Sequence, residues 1–371
     1  MKNITVIGVG KLGLCFALQL EKAGYNVIGV DLDEKFINNL NKKKIHSNEP
    51  LVSEFLKESK NFFATTDIEC GLQHSNIIFL FVATPSLSNG KYNHYQVDRV
   101  AKQLINSKNI GNTQKHLIIG CTTMPGYSDN LQKNLSSYGY SISYNPEFIA
   151  QGSIMNDLSQ PDIVLIGAAN TSIGSVIKKI YEKLVINTPV YHKMSRREAE
   201  ITKIALNCFL TTKIAYANMV GDIAIASDVN PEKILKAIGS DSRIGEKNLK
   251  YGFGFGGPCF PRDNRAFASY ASKVGVSHNI GSVTDAFNED HASFLKDYFI
   301  VKNKKKLPFL FSYLTYKPKT DILTESQQYR LCLDLLNEGY IVYCSDSSLK
   351  DQCDPRIIYE EPTQEVFEIK L

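Results

Sequence analysis

Short apolar runs rich in β-branched residues alternate with stretches of helical periodicity through the first half of the chain. Such runs are typical of strands that are buried on both faces of a parallel sheet. Their alternation with helical stretches predicts an α/β fold whose N-terminal part is a doubly wound parallel sheet. The predicted strands are Ile4–Ile7, Val27–Val30, Asn76–Val82, His116–Gly120, Tyr140–Tyr144 and Asp162–Gly167.

The turn after the first strand has the spacing Gly8-x-Gly10-x-x-Gly13, and a helical stretch follows it directly. Glycines in this pattern allow a tight turn, a close approach of pyrophosphate to the backbone, and close packing of helix on strand. Asp31 ends the second strand, where a carboxylate binds ribose hydroxyls and repels a 2′-phosphate. The sequence therefore predicts an NAD site rather than an NADP site. The predicted contacts at the turn are Gly8, Gly10, Lys11, Leu12 and Gly13.

Three of the predicted strands end in a short cluster of polar residues and a proline. Thr84 precedes Pro85, Thr123 lies two residues before Pro125, and Glu147 follows Pro146. Ligands bind at the carboxyl ends of strands in an open parallel sheet, so Thr84, Thr123 and Glu147 are candidate site residues. The alternative, that these Thr-Pro and Asn-Pro pairs only end the strands, stays open.

Residues 195–227 contain no Pro and only one Gly, and their apolar positions recur at helical spacing. They predict one long helix capped by Ser195, which could join two halves of the molecule or form a dimer face. Lys203 and Asn207 lie four residues apart on one side of it. Both could equally be ordinary surface residues.

The segment 252–257 contains four glycines and is followed by Pro-Cys259-Phe-Pro-Arg-Asp263. Glycines at this density indicate that the backbone approaches another group closely. Cys15, Cys208 and Cys332 lie in apolar periodic runs, as buried cysteines do, whereas Cys259 does not. Its position, four residues before Asp263, predicts a nucleophilic thiol with a carboxylate near it.

The composition of the chain excludes several classes of protein. The chain has 371 residues, 43% of them hydrophobic, and a net charge of +4, which excludes a disordered or strongly basic protein. The short basic cluster 302–306 is expected to be a solvated loop, so no nucleic acid is predicted as a partner. The longest apolar run, Ile77–Ala83, is too short to cross a membrane, and the first strand leaves no room for a signal peptide. The eight cysteines have no metal-ligand spacing, and we expect a cytoplasmic enzyme without a metal.

In combination, these motifs resemble the UDP-glucose 6-dehydrogenase family and related nucleotide-sugar 6-dehydrogenases. They occur in the family's order over nearly the whole chain, and the Gly-Gly-x-Cys-x-Pro-Arg-Asp element is the most discriminating. The matching segments are Gly8-x-Gly-x-x-Gly13, Thr84-Pro85, Thr122-Thr-Met-Pro125, Asn145-Pro-Glu-Phe-Ile-Ala150, Lys203-x-x-x-Asn207, Arg243-Ile-Gly245, Gly254-Phe-Gly-Gly-Pro-Cys-Phe-Pro-Arg-Asp263 and Lys317-Pro-Lys-Thr-Asp321.

The resemblance implies three segments: an NAD-binding Rossmann-type domain (1–194), a central helical dimerisation and catalytic segment (195–300), and a shortened C-terminal Rossmann-like domain that binds the nucleotide of the sugar (301–371). It implies a homodimer through the long helix and a four-electron, NAD-dependent oxidation of a C6 alcohol to a carboxylate. UDP-glucose is the substrate that the Asn-Pro-Glu-Phe-Ile-Ala segment favours.

The resemblance also implies roles for individual residues. Cys259 would form a thiohemiacetal and then a thioester, and Glu147 would assist hydrolysis of the thioester. Asp263 and Thr123 would hold a water that takes the alcohol proton, while Lys203 and Asn207 would stabilise oxyanions. Further cofactor contacts would be Thr84, Thr123 and Arg262; substrate contacts would be Glu147, Phe148, Lys203, Asn207, Arg243, Lys250, Gly256 and Lys317.

The chain departs from the family's pattern near its C-terminal end. After Asp321 the usual Asp-Ile-Arg-Glu-Ser reads Ile322-Leu-Thr324-Glu-Ser326, so Thr324 stands where an Arg is expected. Two alternatives remain beside the active enzyme. One is a relative that binds NAD with lost or altered turnover. The other is a two-electron β-hydroxyacid dehydrogenase, which has no use for Cys259 in its glycine-rich setting.

Overall fold

A computed structural model describes residues 2–107, 114–168 and 171–371. Met1 and residues 108–113 and 169–170, all within the predicted first domain, lie outside the described residues. The chain divides into two compact units, Met1–Lys203 and Ile204–Leu371. This boundary falls inside the long helix, nine residues beyond the predicted end of the first domain, and the division into three segments stays a prediction.

The first unit is built on an eight-stranded sheet in the order β3-β2-β1-β4-β5-β6-β7-β8. Neighbouring strands are parallel except β6 and β7, which are antiparallel, so the sheet is mostly rather than wholly parallel. The strands are β1 Asn3–Ile7, β2 Asn26–Val30, β3 Phe62–Thr65, β4 Ile77–Leu80, β5 Lys115–Ile119, β6 Tyr140–Tyr144, β7 Ile163–Ala168 and β8 Val190–Met194.

Helices cover both faces of this sheet. Val6 and Ile7, neighbours on β1 that point to opposite faces, belong to two different apolar clusters. The doubly wound arrangement predicted from the alternation of runs is thereby confirmed. The helices are α1 Lys11–Lys22, α2 Glu34–Asn41, α3 Val52–Glu58, α4 Ile68–His74, α5 Tyr95–Ile105, α6 Tyr127–Leu135, α7 Ile154–Ser159 and α8 Thr171–Leu184.

The predicted long helix is present as α9, Arg196–Ala226. Ser195 and Glu198 form a capping box at its start: the Ser195 N–H donates to Glu198 Oε2 (2.7 Å), and the Glu198 N–H donates to Ser195 Oγ (3.3 Å). The helix begins in the first unit and continues in the second. Lys203 and Asn207 therefore lie one turn apart on the same helix.

The second unit contains further helices and a small parallel sheet in the order β10-β9-β11. Phe299, Phe309 and Leu335 are among the buried residues of its apolar core. The elements are α10 Pro231–Gly239, α11 Phe260–Lys273, α12 Ile280–Lys302, β9 Phe309–Phe311, α13 Gln327–Asn337, β10 Val342–Cys344 and β11 Phe367–Glu368. Over the described ranges, no helix combines the length and the apolar character needed to cross a membrane.

Candidate functional site

The glycine turn between β1 and α1 has the shape of a phosphate cradle. Gly8 has φ +84°, and a Cβ built on it would lie 2.3 Å from the Phe81 carbonyl oxygen; a Cβ on Gly13 would lie 1.8 Å from the carbonyl oxygen of Gly8. Gly10, in contrast, is exposed and has no atom within 4 Å of its built Cβ. Two glycines are thus required by packing, and the third opens onto space that a ligand can enter. Lys11 and Leu12 begin α1 directly beside this opening.

The Asp31 carboxylate is held at the same turn. Its Oδ2 accepts from the Val9 N–H (3.0 Å) and its Oδ1 from the Leu32 N–H (2.7 Å). The Gly8 N–H donates to the Val30 carbonyl oxygen (2.7 Å), which joins the turn to the end of β2. An acid fixed beside a dinucleotide turn in this way suits the recognition of ribose hydroxyls.

The two predicted threonines lie at the carboxyl ends of the neighbouring parallel strands β4 and β5. Thr84 is buried, and its hydroxyl donates to the Thr122 carbonyl oxygen (2.8 Å). Thr123 is fully buried, and its hydroxyl donates to Glu200 Oε1 (2.9 Å). The polar positions ending these strands therefore meet at one edge of the sheet, as the sequence predicted.

Glu147 and Lys203 are neighbours within the first unit. The Lys203 ammonium donates to the Glu147 carbonyl oxygen (2.8 Å) and lies 4.5 Å from the centre of the Phe148 ring. The Glu147 carboxyl accepts a hydrogen bond from the buried Tyr181 hydroxyl, which also contacts Asn145 Oδ1 (2.9 Å). Burial raises the pKa of Glu147 to about 7, against the opposing effects of the Tyr181 hydrogen bond and the Lys203 ammonium. A carboxyl with this pKa can both take and give a proton near neutral pH.

In the second unit, Cys259 is exposed at the N-cap of α11, a helix of 14 residues. The Asp263 N–H donates to the Cys259 carbonyl oxygen (2.8 Å), and the Asp263 side chain is buried. Its Oδ2 accepts from Asn207 Nδ2 (2.7 Å) and its Oδ1 from Arg262 Nε (3.2 Å). Asn207 and Asp263, predicted from separate motifs, are thus in contact, and Cys259 begins the helical turn that carries Asp263.

The glycine-rich segment before Cys259 packs against other parts of the second unit. A Cβ on Gly256 would lie 2.2 Å from the Glu325 carbonyl oxygen, and a Cβ on Gly257 (φ +81°) would lie 2.6 Å from the Tyr316 ring. The Asn288 side chain accepts from the Phe255 N–H (2.9 Å) and donates to the Phe255 carbonyl oxygen (3.0 Å). The predicted close approach therefore exists, and the chain itself is its partner.

A buried histidine holds the start of the same segment. His291 Nε2 lies 2.8 Å from the Gly252 carbonyl oxygen, and its Nδ1 lies 2.8 Å from Asp222 Oδ2. The Tyr251 hydroxyl donates to the same Asp222 carboxylate (3.0 Å). The ring of Tyr251 packs so closely on α9 that a Cβ on Gly221 would lie 1.8 Å from it. No sequence motif pointed to this cluster.

A cavity of about 410 Å³ opens within the second unit beside the glycine-rich segment. Phe253, Gly254, Tyr316 and Lys317 are among the residues that line it, and Lys317 is one of the predicted substrate contacts. The other four predicted substrate contacts of this unit, Asn207, Arg243, Lys250 and Gly256, are not among the described residues that line the cavity. Arg243 and Lys250 are exposed, Arg243 being paired with Asp241 (2.8 Å), and Gly256 is buried.

Sequence reasoning missed Glu200, Tyr181 and the His291 cluster. Glu200 had a signal: it precedes Lys203 by three residues and Asn207 by seven, so it shares their side of α9. Tyr181 belongs to an amphipathic helix in which nothing marks it. Among the described residues, no group of three or more His, Cys, Asp or Glu side chains could hold a metal ion.

Two profiles of one protein family match this chain. The profile of the NAD binding domain of the UDP-glucose/GDP-mannose dehydrogenase family matches residues 2–185, and the profile of the central domain matches residues 197–290. A UDP-glucose 6-dehydrogenase of Rickettsia felis is 31% identical over 356 residues, which are 93% of this chain and 78% of that protein.

Solved structures show the same fold. A UDP-glucose dehydrogenase from Pyrobaculum islandicum has a TM-score of 0.85 at 25% identity, covering 98% of this chain and 86% of that one. A UDP-D-ManNAc dehydrogenase from Pyrococcus horikoshii has a TM-score of 0.81 at 21% identity, covering 97% of this chain and 85% of that one.

Proposed function

The chain belongs to the UDP-glucose/GDP-mannose dehydrogenase family of NAD-dependent enzymes, and from that premise we propose that it oxidises the C6 alcohol of UDP-glucose to the uronic acid. The observation that carries the proposal is Cys259, exposed at the start of α11 with the buried Asp263 one turn further on. The relative from Rickettsia felis supports UDP-glucose as the sugar. The structural likeness to a UDP-D-ManNAc dehydrogenase supports the fold alone.

The turn after β1 fits NAD, the cofactor that this family's N-terminal domain binds. Gly10 leaves open space beside the N-terminus of α1, where pyrophosphate is bound in such domains, and Asp31 lies where the ribose hydroxyls need an acceptor. Bound NAD accepts the hydride in each oxidation. The chain's own residues bind and orient the reactants, move protons, and hold the aldehyde between the two oxidations.

In the first oxidation, the proton of the C6 hydroxyl passes through a water held by Asp263 and Thr123 while the C6 hydride departs. In the second, the Cys259 sulfur adds to the aldehyde carbon and a C–S bond forms. The carbonyl oxygen takes up the thiol proton and becomes the hydroxyl of a thiohemiacetal, which has a C–H bond to break. Loss of that hydride to NAD, together with loss of the hydroxyl proton to water, leaves a thioester. The Lys203 ammonium and the Asn207 amide stabilise the oxyanions of these steps.

Glu147 then takes a proton from the water that attacks the thioester, for which a pKa of about 7 is well placed. The C–S bond breaks, the acid is released and the thiol is restored. Arg262 is proposed as a cofactor contact, and Phe148, Arg243, Lys250, Gly256 and Lys317 are proposed as substrate contacts. The balance is two NAD reduced for each sugar oxidised.

The second subunit of the proposed homodimer would pair along α9. Phe209, Tyr216 and Ile223 are 68%, 45% and 59% exposed. They are spaced seven residues apart and therefore form one apolar stripe along the helix. A second copy of the chain would bury this stripe.

The deciding experiment supplies NAD with UDP-glucose, UDP-N-acetylmannosamine or GDP-mannose and counts NADH formed per sugar consumed. We expect two NADH and an acid from UDP-glucose. Cys259→Ala should keep NAD binding and the circular dichroism spectrum, but should lose acid formation by orders of magnitude. Cys353→Ala, a half-buried cysteine of the same unit, is the matched control and should stay active. Normal acid production by Cys259→Ala would overturn the covalent mechanism.

A further inference from the structure

We propose that Glu200 is a positioning residue that fixes the Thr123 hydroxyl as a hydrogen-bond acceptor toward the reacting alcohol or its water. The proposal rests on the function proposed above, in which Thr123 helps to remove the alcohol proton. It assigns a role to a buried carboxylate that the mechanism does not otherwise use.

Three hydrogen bonds converge on Glu200, which is fully buried. Its Oε1 accepts from the Thr123 hydroxyl (2.9 Å) and from the Ser128 N–H (2.9 Å), and its Oε2 accepts from the Gly126 N–H (2.5 Å). All four residues belong to the first unit, and Glu200 projects from α9 while the donors lie at the end of β5 and the start of α6.

The two backbone donors belong to the N-terminus of α6. Gly126 is the N-cap of this nine-residue helix and has no side chain to cap it. The Glu200 carboxylate takes the place of that missing cap, and its negative charge is stabilised by the helix N-terminus. The carboxylate is therefore held in place by α6, independently of Thr123.

A carboxylate fixed in this way determines the direction of the Thr123 hydroxyl. Burial raises the pKa of Glu200, but donors on both of its oxygens favour the ionised form. An ionised carboxylate only accepts hydrogen bonds, and a threonine hydroxyl has a single proton to donate. That proton is committed to Glu200, so Thr123 can present only oxygen lone pairs to a ligand. A hydroxyl poised in this way accepts from the alcohol or from the water and cannot donate to either.

The test is a double-mutant cycle of Glu200→Gln and Thr123→Val, assayed for NADH formation with UDP-glucose. A glutamine amide can donate, so in Glu200→Gln the Thr123 hydroxyl can accept from it and turn its own proton toward the substrate. We expect kcat to fall roughly tenfold or more, which is the size expected for losing one hydrogen bond to a charged group. The KM for NAD and the KM for UDP-glucose should change little. In the Thr123→Val background, the same replacement should change kcat less than about twofold. Thr123→Ser, which keeps the hydroxyl, should lose less kcat than Thr123→Val.

Equal losses from Glu200→Gln in both backgrounds would mean that Glu200 only supports α6, and would overturn the proposal. Should Glu200→Gln fail to fold, Glu200→Asp tests the same point, because the shorter carboxylate keeps its charge but withdraws from the hydroxyl. A wild-type protein that forms no NADH from any nucleotide sugar would overturn the proposed function, and this inference with it. If the wild type turns over but the losses of kcat from Glu200→Gln and Thr123→Val are additive, only the role assigned to Glu200 is overturned.

Discussion

Replacing Glu147 by Gln should stabilise the protein at mildly alkaline pH and change its stability little in mild acid. The Glu147 carboxyl is buried against Tyr181, and burial raises its pKa from 4.5 to about 7. Between these two values the folded protein holds a proton that the unfolded chain has released. The wild type therefore loses stability as pH rises through this interval, since the folded state must give up that proton and bury a charge.

The size of this stability change follows from the difference between the two pKa values of Glu147, about 2.5 pH units. One unit corresponds to about 1.4 kcal/mol, so the buried carboxylate costs about 3 kcal/mol of folding free energy once it is fully ionised. Glutamine keeps an oxygen that can accept from the Tyr181 hydroxyl, and it never ionises. The variant should therefore match the wild type to within about 1 kcal/mol near pH 5 and exceed it by up to about 3 kcal/mol near pH 8.

Urea unfolding followed by far-ultraviolet circular dichroism measures this difference, because the chain has no Trp to report by fluorescence. Glu54→Gln, which removes an exposed carboxylate on α3, is the control and should give the same stability difference from wild type at both pH values. A Glu147→Gln variant whose advantage over the wild type fails to grow between about pH 5 and about pH 8 would refute the reasoning.

Three further predictions follow from the cofactor turn and from α9. Asp31→Ser should raise NADP use relative to NAD by roughly tenfold or more, measured as the ratio of kcat/KM values, and an unchanged ratio would show that Asp31 does not face the ribose. Gly10→Ala should weaken NAD binding, measured by calorimetric titration, and should change the free energy of unfolding by no more than about 0.5 kcal/mol. Gly13→Ala should instead lower the free energy of unfolding, measured in urea, by about 1–3 kcal/mol or more, because its methyl group clashes with the Gly8 carbonyl. Ile223→Asp should shift the proposed dimer to monomer in analytical ultracentrifugation, and an unchanged mass would place any dimer contact elsewhere.

The larger part of the first unit was predictable because its central strands are apolar runs bounded by glycine and proline. The strands β3 and β8 escaped prediction since they lie at the edges of the sheet. Phe63 of β3 is 53% exposed and Val190 of β8 is 58% exposed, so neither strand has the continuous apolar run of a buried one. The antiparallel pairing of β6 and β7 has no local signature either, because strand direction depends on the path of the connecting chain.

The candidate site was predictable where its geometry is local. Cys259 and Asp263 are held by one helical turn, and the spacing within the sequence determines their relation. The contacts of Asp263 with Asn207 and of Lys203 with Glu147 each join residues 56 positions apart, and only the family resemblance had brought them together. Tyr181 and His291 form hydrogen bonds with residues that are distant in sequence. Both lie in helices whose apolar periodicity explains them as core residues.

The exposure of Cys259 has a consequence for how the protein responds to oxidants. Of the eight cysteines, all of which lie in the described ranges, five are buried, two are half-buried and only Cys259 is exposed. The cysteine that is open to solvent is the one that peroxide reaches first, and its oxidation gives a sulfenic acid that thiols can reduce and then a sulfinic acid that they cannot. With Cys259 as the nucleophile, mild oxidation would stop acid formation while leaving the fold and the cofactor turn intact. The specific activity of a preparation would then depend on how long the protein had been exposed to oxygen.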